Sequence, residues 1–459
     1  MSGKDTRRRL PRNRRGVIDR RDFMGACGLS ALALAPALTQ LSPAPTRWAP
    51  AEKPNRPIGK ARGIFPGRVV WVHEPGVAKW DGDTTAGSWW EDKFTDPILA
   101  EQMLQSMLRL LTGAKSDREA WAALFRHYNR THGRGNVGYQ PGEKVAVKLN
   151  MNCSDKRERP FFGLYNTPQL TLALLRQLVT QAGVQESDLA VCDASRWTND
   201  TIFIPGHAEF PNVRFEDRHG TDGRCKAVPD KNVALYFGNP DTPGSGATYL
   251  PASITGATYV INAASMKGHT LAAVTLCAKN HFGSVYRDNT GPQDPHQGWN
   301  PSHVHDQILV RTRPMGTYNP LVDFMGHKDL GGKTVLYLID ALYAAEHQNA
   351  TPTKWQSSPF DGHWTASVLA SQDPVAIESV AVDFFGAEES ITRIVGTVDN
   401  YLHEAALAPK PPSQTRYAPA GDGKILTSLG VHEHWDGPEK KQYSRNLGTG
   451  GGIELVKNA

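Results

Sequence analysis

The chain has 459 residues, a formal net charge of +5 and a pI near 8.8. That length suits one large domain or two. Residues 1–45 hold nine of the 51 basic residues and three of the 46 acidic ones, which leaves 42 and 43 for the remainder. The remainder is therefore close to neutral, and its charge gives no reason to expect a nucleic-acid partner.

Residues 1–45 have the pattern of a twin-arginine export signal. The pair Arg20-Arg21 is followed by a weakly apolar stretch from Gly25 to Leu38. This stretch is short and interrupted by Pro36, so we expect no stable membrane span after cleavage. The pattern predicts the twin-arginine export machinery as a partner and a periplasmic or otherwise exported protein. A basic disordered tail is the alternative.

Residues 46–66 are rich in proline, alanine and basic residues, which predicts a linker. A single α/β domain is expected over 67–459, with its core at about 140–390. It begins with a strand over 67–73.

Two helices are predicted next, before the core begins. The first covers 97–111 and stops at Gly113, and the second begins with a capping box in which Ser116 precedes Glu119. Their position indicates an insertion or lid near the N-terminus of the fold.

The core alternates strands and helices. Strands over 144–148 and 188–193 flank a helix over 169–182, and this β-α-β unit predicts parallel neighbours. A helix over 375–385 has Asp373 at its cap. This alternation predicts an α/β fold with a mostly parallel sheet and helices on both faces. Further strands are predicted over 258–262, 333–340 and 365–370, and long loops over 194–211, 218–257 and 284–301.

The candidate site is centred on the stretch from Ala264 to Gly283. It follows an apolar, β-branched run that predicts a buried strand ending near Asn262. Polar side chains at the end of such a strand are costly to bury unless they are paired or face a ligand. The carboxyl ends of parallel strands share one edge of the sheet, where open α/β sheets bind ligands. A polar surface loop with an amphipathic helix is the alternative.

Seven side chains from separate segments are predicted to meet at that edge. Three lysines with few nearby acids favour an anionic group, so a small anionic molecule is the expected partner. Closely placed lysines lower one another's pKa, which could make one a base or nucleophile, and the histidine suits acid–base work. The catalytic candidates are His269, Lys267 and Lys279, and the substrate-binding candidates are Lys148, Asn150, Asn280 and Asp340. Asp340 could equally accept hydrogen bonds from backbone amides.

Two histidine pairs are candidate metal ligands. His303-x-His305 lies in a predicted loop, and His432-x-His434 recurs near the end of the chain. Such a pair can hold zinc, copper or iron if a third ligand joins, and a structural or solvated role is the alternative for each pair. Motifs for cysteine-ligated iron–sulfur clusters, covalent haem and nucleotides are absent from the sequence, so the cofactor is unknown, with a metal ion as a candidate.

The central stretch also carries a family resemblance. Lys267-x-His269, followed by Thr275-Leu276-Cys277-Ala278-Lys279-Asn280-x-x-Gly283, resembles the central motif of the domain of unknown function 362 family. Segments 144–150, 335–340 and 371–380 are similar to the same family, and the resemblance covers about 140–390. It implies no settled activity. Many relatives carry an iron–sulfur ferredoxin segment with clustered cysteines, which this sequence lacks, so their electron-transfer role is not implied here. With its twin-arginine pattern, the chain resembles an exported subgroup without that segment.

Three functions remain open from the sequence. An enzyme acting on a small anionic substrate is favoured, because two lysines beside a histidine exceed what ligand capture needs. The alternatives are a non-catalytic exported binding protein that uses the same pocket and a metal-dependent redox enzyme that uses the histidine loops.

Overall fold

A mostly parallel sheet of ten strands organises the part of the chain that the computed structural model describes, residues 47–152, 163–238, 247–285 and 301–458. The side chains of 247 and 301–303 are not described. The predicted export signal lies outside these ranges, as does most of the predicted loop 284–301.

The strands are β1 (Ile58–Gly59), β2 (Arg68–His73), β3 (Val145–Lys148), β4 (Leu189–Asp193), β5 (Arg214–Asp217), β6 (Cys225–Lys226), β7 (Pro229–Tyr236), β8 (Ala247–Pro251), β9 (Tyr259–His269), β10 (Ala273–Thr275), β11 (Thr334–Ala345), β12 (Ser367–Ser371), β13 (Val431–His432) and β14 (Glu454–Lys457). The helices are α1 (Pro97–Thr112), α2 (Asp117–Thr131), α3 (Pro168–Arg176), α4 (Asp200–Glu209), α5 (Ala252–Thr255), α6 (Cys277–Asn280), α7 (Pro301–Asp306), α8 (Pro320–Gly326), α9 (Pro374–Ala387) and α10 (Asn400–Ala406).

The sheet has the order β14-β2-β12-β11-β9-β3-β4-β5-β6, with β10 paired to β9. Neighbouring strands are parallel except at β12, which is antiparallel to β11 and β2, and at β10, which is antiparallel to β9. The β3-α3-β4 unit has the predicted parallel pairing. The predicted fold class, an α/β fold with a mostly parallel sheet, is confirmed.

Both faces of the sheet carry a buried core, because successive residues of a strand point to opposite sides. In β2, Val69 and Trp71 belong to one core, which also holds residues of α8, α9 and α10. Val70 and Val72 belong to the other core, with residues of α1, α2 and α3. The two helices predicted as an insertion or lid thus lie within the helical layer on that face.

Local signals fixed the ends of several helices. α1 ends at Gly113, whose φ of 71° is left-handed and suits glycine at that position. Ser116 and Glu119 form the predicted capping box of α2. Asp373 caps α9 by accepting the amides of Val375 and Ala376.

Segment 47–66 differs from the predicted linker, because it packs on the domain. Trp48 is buried in the core that holds α9. β1 pairs antiparallel with β13, and the Arg62 amide donates to Asp373 at 2.9 Å. The composition resembled a linker, yet one tryptophan and a short strand hold the segment in place.

Two predicted loops contain regular structure. α4 lies in the predicted loop 194–211 and contains both Pro205 and Gly206. Gly206 allows Phe215 to approach, since a Cβ there would lie 2.6 Å from the Phe215 ring. The hairpin of β7 and β8 lies in the predicted loop 218–257.

Across the described ranges, we find no helix with the length and apolar character needed to cross a bilayer.

Candidate functional site

A cavity of about 240 Å³ lies at the carboxyl ends of β3, β4, β9 and β11. Adjacent parallel strands bring the residues that follow them to one edge, which explains why distant segments meet here. Its lining is mainly polar and comprises Asn150, Asn152, Asp193, Ser195, Arg196, His269, Leu271, Thr275, Lys279, Asn280, Phe282, Gly283, His305, Gln348 and Asn349. Four of the seven predicted site residues line it: Asn150, His269, Lys279 and Asn280.

β9 does not end near Asn262 as predicted but continues to His269. Its last residues stay in the sheet because Lys267 pairs with Ala345 of β11 and with Thr275 of β10. Gly268 separates the two functional candidates, and a Cβ there would lie 1.9 Å from the Glu346 carbonyl oxygen. Lys267 and His269 are therefore held by a strand, not by a loop.

His269 is buried, and its neutral ring accepts hydrogen bonds at one nitrogen and can donate one from the other. Its Nδ1 accepts the amides of Leu271 at 3.1 Å and Ala272 at 3.2 Å. Burial lowers the pKa of His269 well below its usual value, and the nearby Lys279 lowers it further. Since Nδ1 is an acceptor, the proton of the neutral ring is on Nε2. The ring can donate that hydrogen to an oxygen atom of a ligand, a more specific role than the acid–base work predicted for it.

Lys279 supplies a positive charge to the cavity. Its Nζ lies 3.4 Å from the centroid of the Phe282 ring and 3.4 Å from Nε2 of His305. The cation–π contact and the imidazole position the amine at the cavity. Arg196, which the sequence analysis did not single out, is a second cation in the lining, and its Nε donates to Asn152 at 3.1 Å. Its place three residues after the end of β4 was the signal that could have identified it.

Lys148 does not line the cavity, contrary to the predicted substrate-binding role. Its Nζ donates to Asp193 at 3.1 Å and to Asn280 at 3.0 Å, and the side chain is almost fully buried. Asp193 is the acid that the sequence analysis overlooked, because it stands on the neighbouring strand. The Lys148 ammonium group thus pairs with Asp193 inside the protein, and its hydrogen bond to Asn280 holds that residue in the wall of the cavity.

Lys267 and Asp340 also lie away from the cavity lining. The Lys267 Nζ donates to the carbonyl oxygen of Leu164 at 2.7 Å, and the residue is fully buried. Asp340 accepts the amide of Thr167 at 2.6 Å and its hydroxyl at 2.9 Å. Burial raises the pKa of Asp340 to about 6. Asp340 has the structural role that was the alternative, since it holds the first turn of α3.

Two buried polar atoms of cavity-lining residues have no hydrogen bond within the described ranges. These atoms are Oδ1 of Asn150 and Oγ1 of Thr275. A buried polar atom without a partner costs about 1–3 kcal/mol, so native structures rarely contain one without a reason. A bound molecule that supplies the missing hydrogen bonds would account for both.

The predicted metal pair of His303 and His305 stays a prediction. The side chain of His303 lies outside the described residues, and Nε2 of His305 faces the Lys279 amine. A cation in that position would be repelled by the ammonium group. Groups that could bind a metal do exist elsewhere: Asp399, His403 and His432 form one, and Glu52, Asp399 and His434 form another.

A larger cavity of about 300 Å³ lies beside the end of β2 and is lined largely by aromatic and apolar residues, Trp80, Phe360 and Trp364 among them. None of the unsatisfied buried side-chain atoms of the described ranges belongs to its lining. This cavity therefore lacks the buried, unsatisfied polar atoms that indicate a ligand in the 240 Å³ cavity.

The family model described as "Domain of unknown function (DUF362)" matches residues 145–383, slightly more than half of the chain. This range agrees with the predicted span of about 140–390. It contains β3, β4, β9 and β11, the strands whose ends surround the cavity. A search among curated proteins finds none that matches the chain.

Proposed function

We propose that this chain, which belongs to the domain of unknown function 362 family, binds a small anionic molecule in the cavity at the carboxyl edge of its sheet and acts on it as an enzyme. One observation carries the proposal. The Lys279 amine and the unsatisfied atoms of Asn150 and Thr275 belong to residues that line the same cavity.

The polar groups of the cavity specify the chemistry of the ligand. Lys279, Arg196 and the Nε2 hydrogen of His269 suit the oxygen atoms of an anion. Oδ1 of Asn150 can only accept a hydrogen bond, so the ligand must also carry a donor such as a hydroxyl group. A volume of about 240 Å³ suits a small metabolite. A small hydroxy carboxylic acid meets all three conditions.

The same groups support catalysis in addition to capture. A buried neutral imidazole that donates from Nε2 can stabilise negative charge that develops on an oxygen atom of the substrate. Lys279 and His305 are joined by a 3.4 Å contact between nitrogen atoms, across which a proton can pass. Turnover of the bound molecule distinguishes this enzyme from the alternative, a non-catalytic binding protein.

Replacing Lys279 with methionine is expected to weaken anion binding about ten- to a hundredfold, because a hydrogen bond from a charged group contributes roughly 1.5–3 kcal/mol. Titration calorimetry with a panel of small hydroxy acids, each paired with its analogue without the hydroxyl group, would measure this. The hydroxylated members should bind more tightly, since only they can donate to Asn150. The exposed Lys410 provides a control, Lys410→Met, which should bind like the unaltered protein. Equal affinity in Lys279→Met, or binding of no anion in the panel, would contradict the proposal.

We also propose export by the twin-arginine route, on the evidence of the Arg20-Arg21 pair. The double substitution Arg20→Lys, Arg21→Lys is expected to leave the precursor in the cytoplasm, because that pathway requires the arginine pair. The upstream pair offers a matched control, Arg14→Lys with Arg15→Lys, which should be exported normally. Cell fractionation and immunoblotting would measure both, and unchanged periplasmic accumulation of the first variant would rule out this route.

A further inference from the structure

Three buried histidines near the C-terminal part of the chain have ring nitrogens without hydrogen bonds. Nε2 of His403, His432 and His434 makes none within the described ranges. All three residues are at most 8% exposed. Three such atoms close together are unusual, because each loses its hydrogen bonds to water on burial.

The three nitrogens converge with two carboxylates. Ligand atoms of Asp399, His403 and His432 lie within 4.8 Å of one another, and so do those of Glu52, Asp399 and His434. Nε2 of His403 is 3.3 Å from Glu52, and Nε2 of His434 is 3.6 Å from Asp399. Asp399 is common to both groups and the contact between His403 and Glu52 also links them, so the five side chains form one connected cluster.

Hydrogen bonds behind the cluster orient two of its histidines. The Ser379 hydroxyl donates to the carbonyl oxygen of Val375 at 2.7 Å, so its oxygen accepts from Nδ1 of His432 at 2.8 Å. Nδ1 of His434 lies 2.6 Å from a carboxylate oxygen of Asp383, to which it donates. Nδ1 thus carries the proton in each ring, and Nε2 faces the cluster. Metal-binding histidines are held in this way, with the second ring nitrogen donating to an oxygen atom.

One carboxylate of the cluster is also positioned from behind. Nε1 of Trp48 donates to Oδ1 of Asp399 at 3.2 Å, while Oδ2 of Asp399 faces His403 and His434. Trp48 and Glu52 both belong to the N-terminal segment that packs on the domain. That segment therefore contributes to the cluster directly through Glu52 and indirectly through Trp48.

We propose that His403, His432, His434 and Asp399 bind a divalent first-row transition metal ion, with Glu52 as an additional ligand. Protons on Nε2 of His403 and His434 could be donated to Glu52 and Asp399, whereas a metal ion would satisfy all three Nε2 atoms, that of His432 included. Imidazole nitrogens favour zinc, iron, copper or nickel over calcium or magnesium. The site shares no residue with the anion-binding cavity and does not depend on the proposed function.

The ion would have a structural role. Three histidines and two carboxylates occupy all the positions of a four- or five-coordinate zinc ion, and a zinc site without an open position is structural. The ligands come from three separate parts of the chain, the N-terminal segment, the region of α10 and the region of β13. An ion bound to all three would hold the N-terminal segment and the C-terminal part on the helical layer that contains α9 and α10.

Zinc titration of the chelator-treated full chain tests the site. We expect one Zn²⁺ per chain, with an increase in melting temperature on binding, because a ligand that binds only the folded state stabilises it. His432→Gln should abolish this binding. His363 is exposed and lies outside the cluster, so His363→Gln is the matched control and should bind zinc normally.

A second variant keeps the test decisive if His432→Gln fails to fold. Ser379→Ala removes only the group that orients His432, and it should fold while weakening zinc affinity about ten- to a hundredfold. Circular dichroism would confirm that each variant is folded. Unchanged zinc affinity in a folded Ser379→Ala, unchanged binding in a folded His432→Gln, or no stoichiometric binding by the unaltered chain would each overturn the proposal.

Discussion

Replacing Lys148 with methionine is expected to lower the free energy of unfolding by about 3–5 kcal/mol, because the Asp193 carboxylate would remain buried without its cation. The two charged groups are 3.1 Å apart, and their side chains are 1% and 3% exposed. With so little solvent contact, neither charge is screened by water. Urea denaturation followed by circular dichroism would measure the loss.

Two further variants test whether the loss of stability comes from the unpaired Asp193 carboxylate. Lys144 precedes the same strand and is exposed, so Lys144→Met should change the free energy of unfolding very little. The double variant Lys148→Met, Asp193→Asn should regain part of the lost stability, because the isosteric amide carries no charge. If Lys148→Met proves about as stable as Lys144→Met, the Asp193 carboxylate does not depend on Lys148 for its burial.

The sequence predicted those parts of the fold that depend on local signals. The β3-α3-β4 unit followed from apolar periodicity, and the cap of α9 followed from Asp373 standing before Pro374. These features need only neighbouring residues to form. α4 was missed for the corresponding reason, since Pro205 and Gly206 break a local helical pattern that packing against the sheet restores.

The edge at which the candidate site lies was also predictable, because the carboxyl ends of parallel strands always meet there. The sequence did not predict which of these side chains line the cavity and which are buried behind it. Lys148 and Asp193 are 45 residues apart in sequence, and only the pairing of β3 with β4 brings them together. His269 was expected beyond the strand, but pairing with β10 extends β9 to include it.

The histidine cluster was likewise predictable only in part. His432-x-His434 was visible as a pair, but the residues that complete the cluster are far away in sequence. Glu52 stands in a segment whose composition is typical of a linker, and His403 is carried by a short helix. Ligand sets assembled by packing leave no spacing pattern in the sequence, whereas pairs on one strand or helix do.

Replacing Gly283 with alanine is expected to disrupt the wall of the cavity and the ion pair behind it together. A Cβ at this position would lie 2.6 Å from both carboxylate oxygens of Asp193 and 2.6 Å from Nζ of Lys148. These atoms cannot retreat easily, because Asp193 also accepts the amides of Ser195 at 3.0 Å and Met151 at 3.2 Å. The Gly283 backbone is fixed as well, since its carbonyl oxygen accepts the Ala194 amide at 2.8 Å.

Overpacking of this kind costs roughly 1–3 kcal/mol, and separation of the buried charges adds to it. Anion binding should be lost as well, since Gly283 and Asp193 both line the cavity. The matched control is Gly138→Ala, where an added Cβ meets no atom within 4 Å and both properties should be unchanged. Chemical denaturation and titration calorimetry would measure the two effects in the same samples. Because the methyl group and the Lys148 amine compete for one space, combining Gly283→Ala with Lys148→Met should cost less than the sum of the single variants. Strict additivity would indicate that Gly283 does not lie against the Lys148–Asp193 pair.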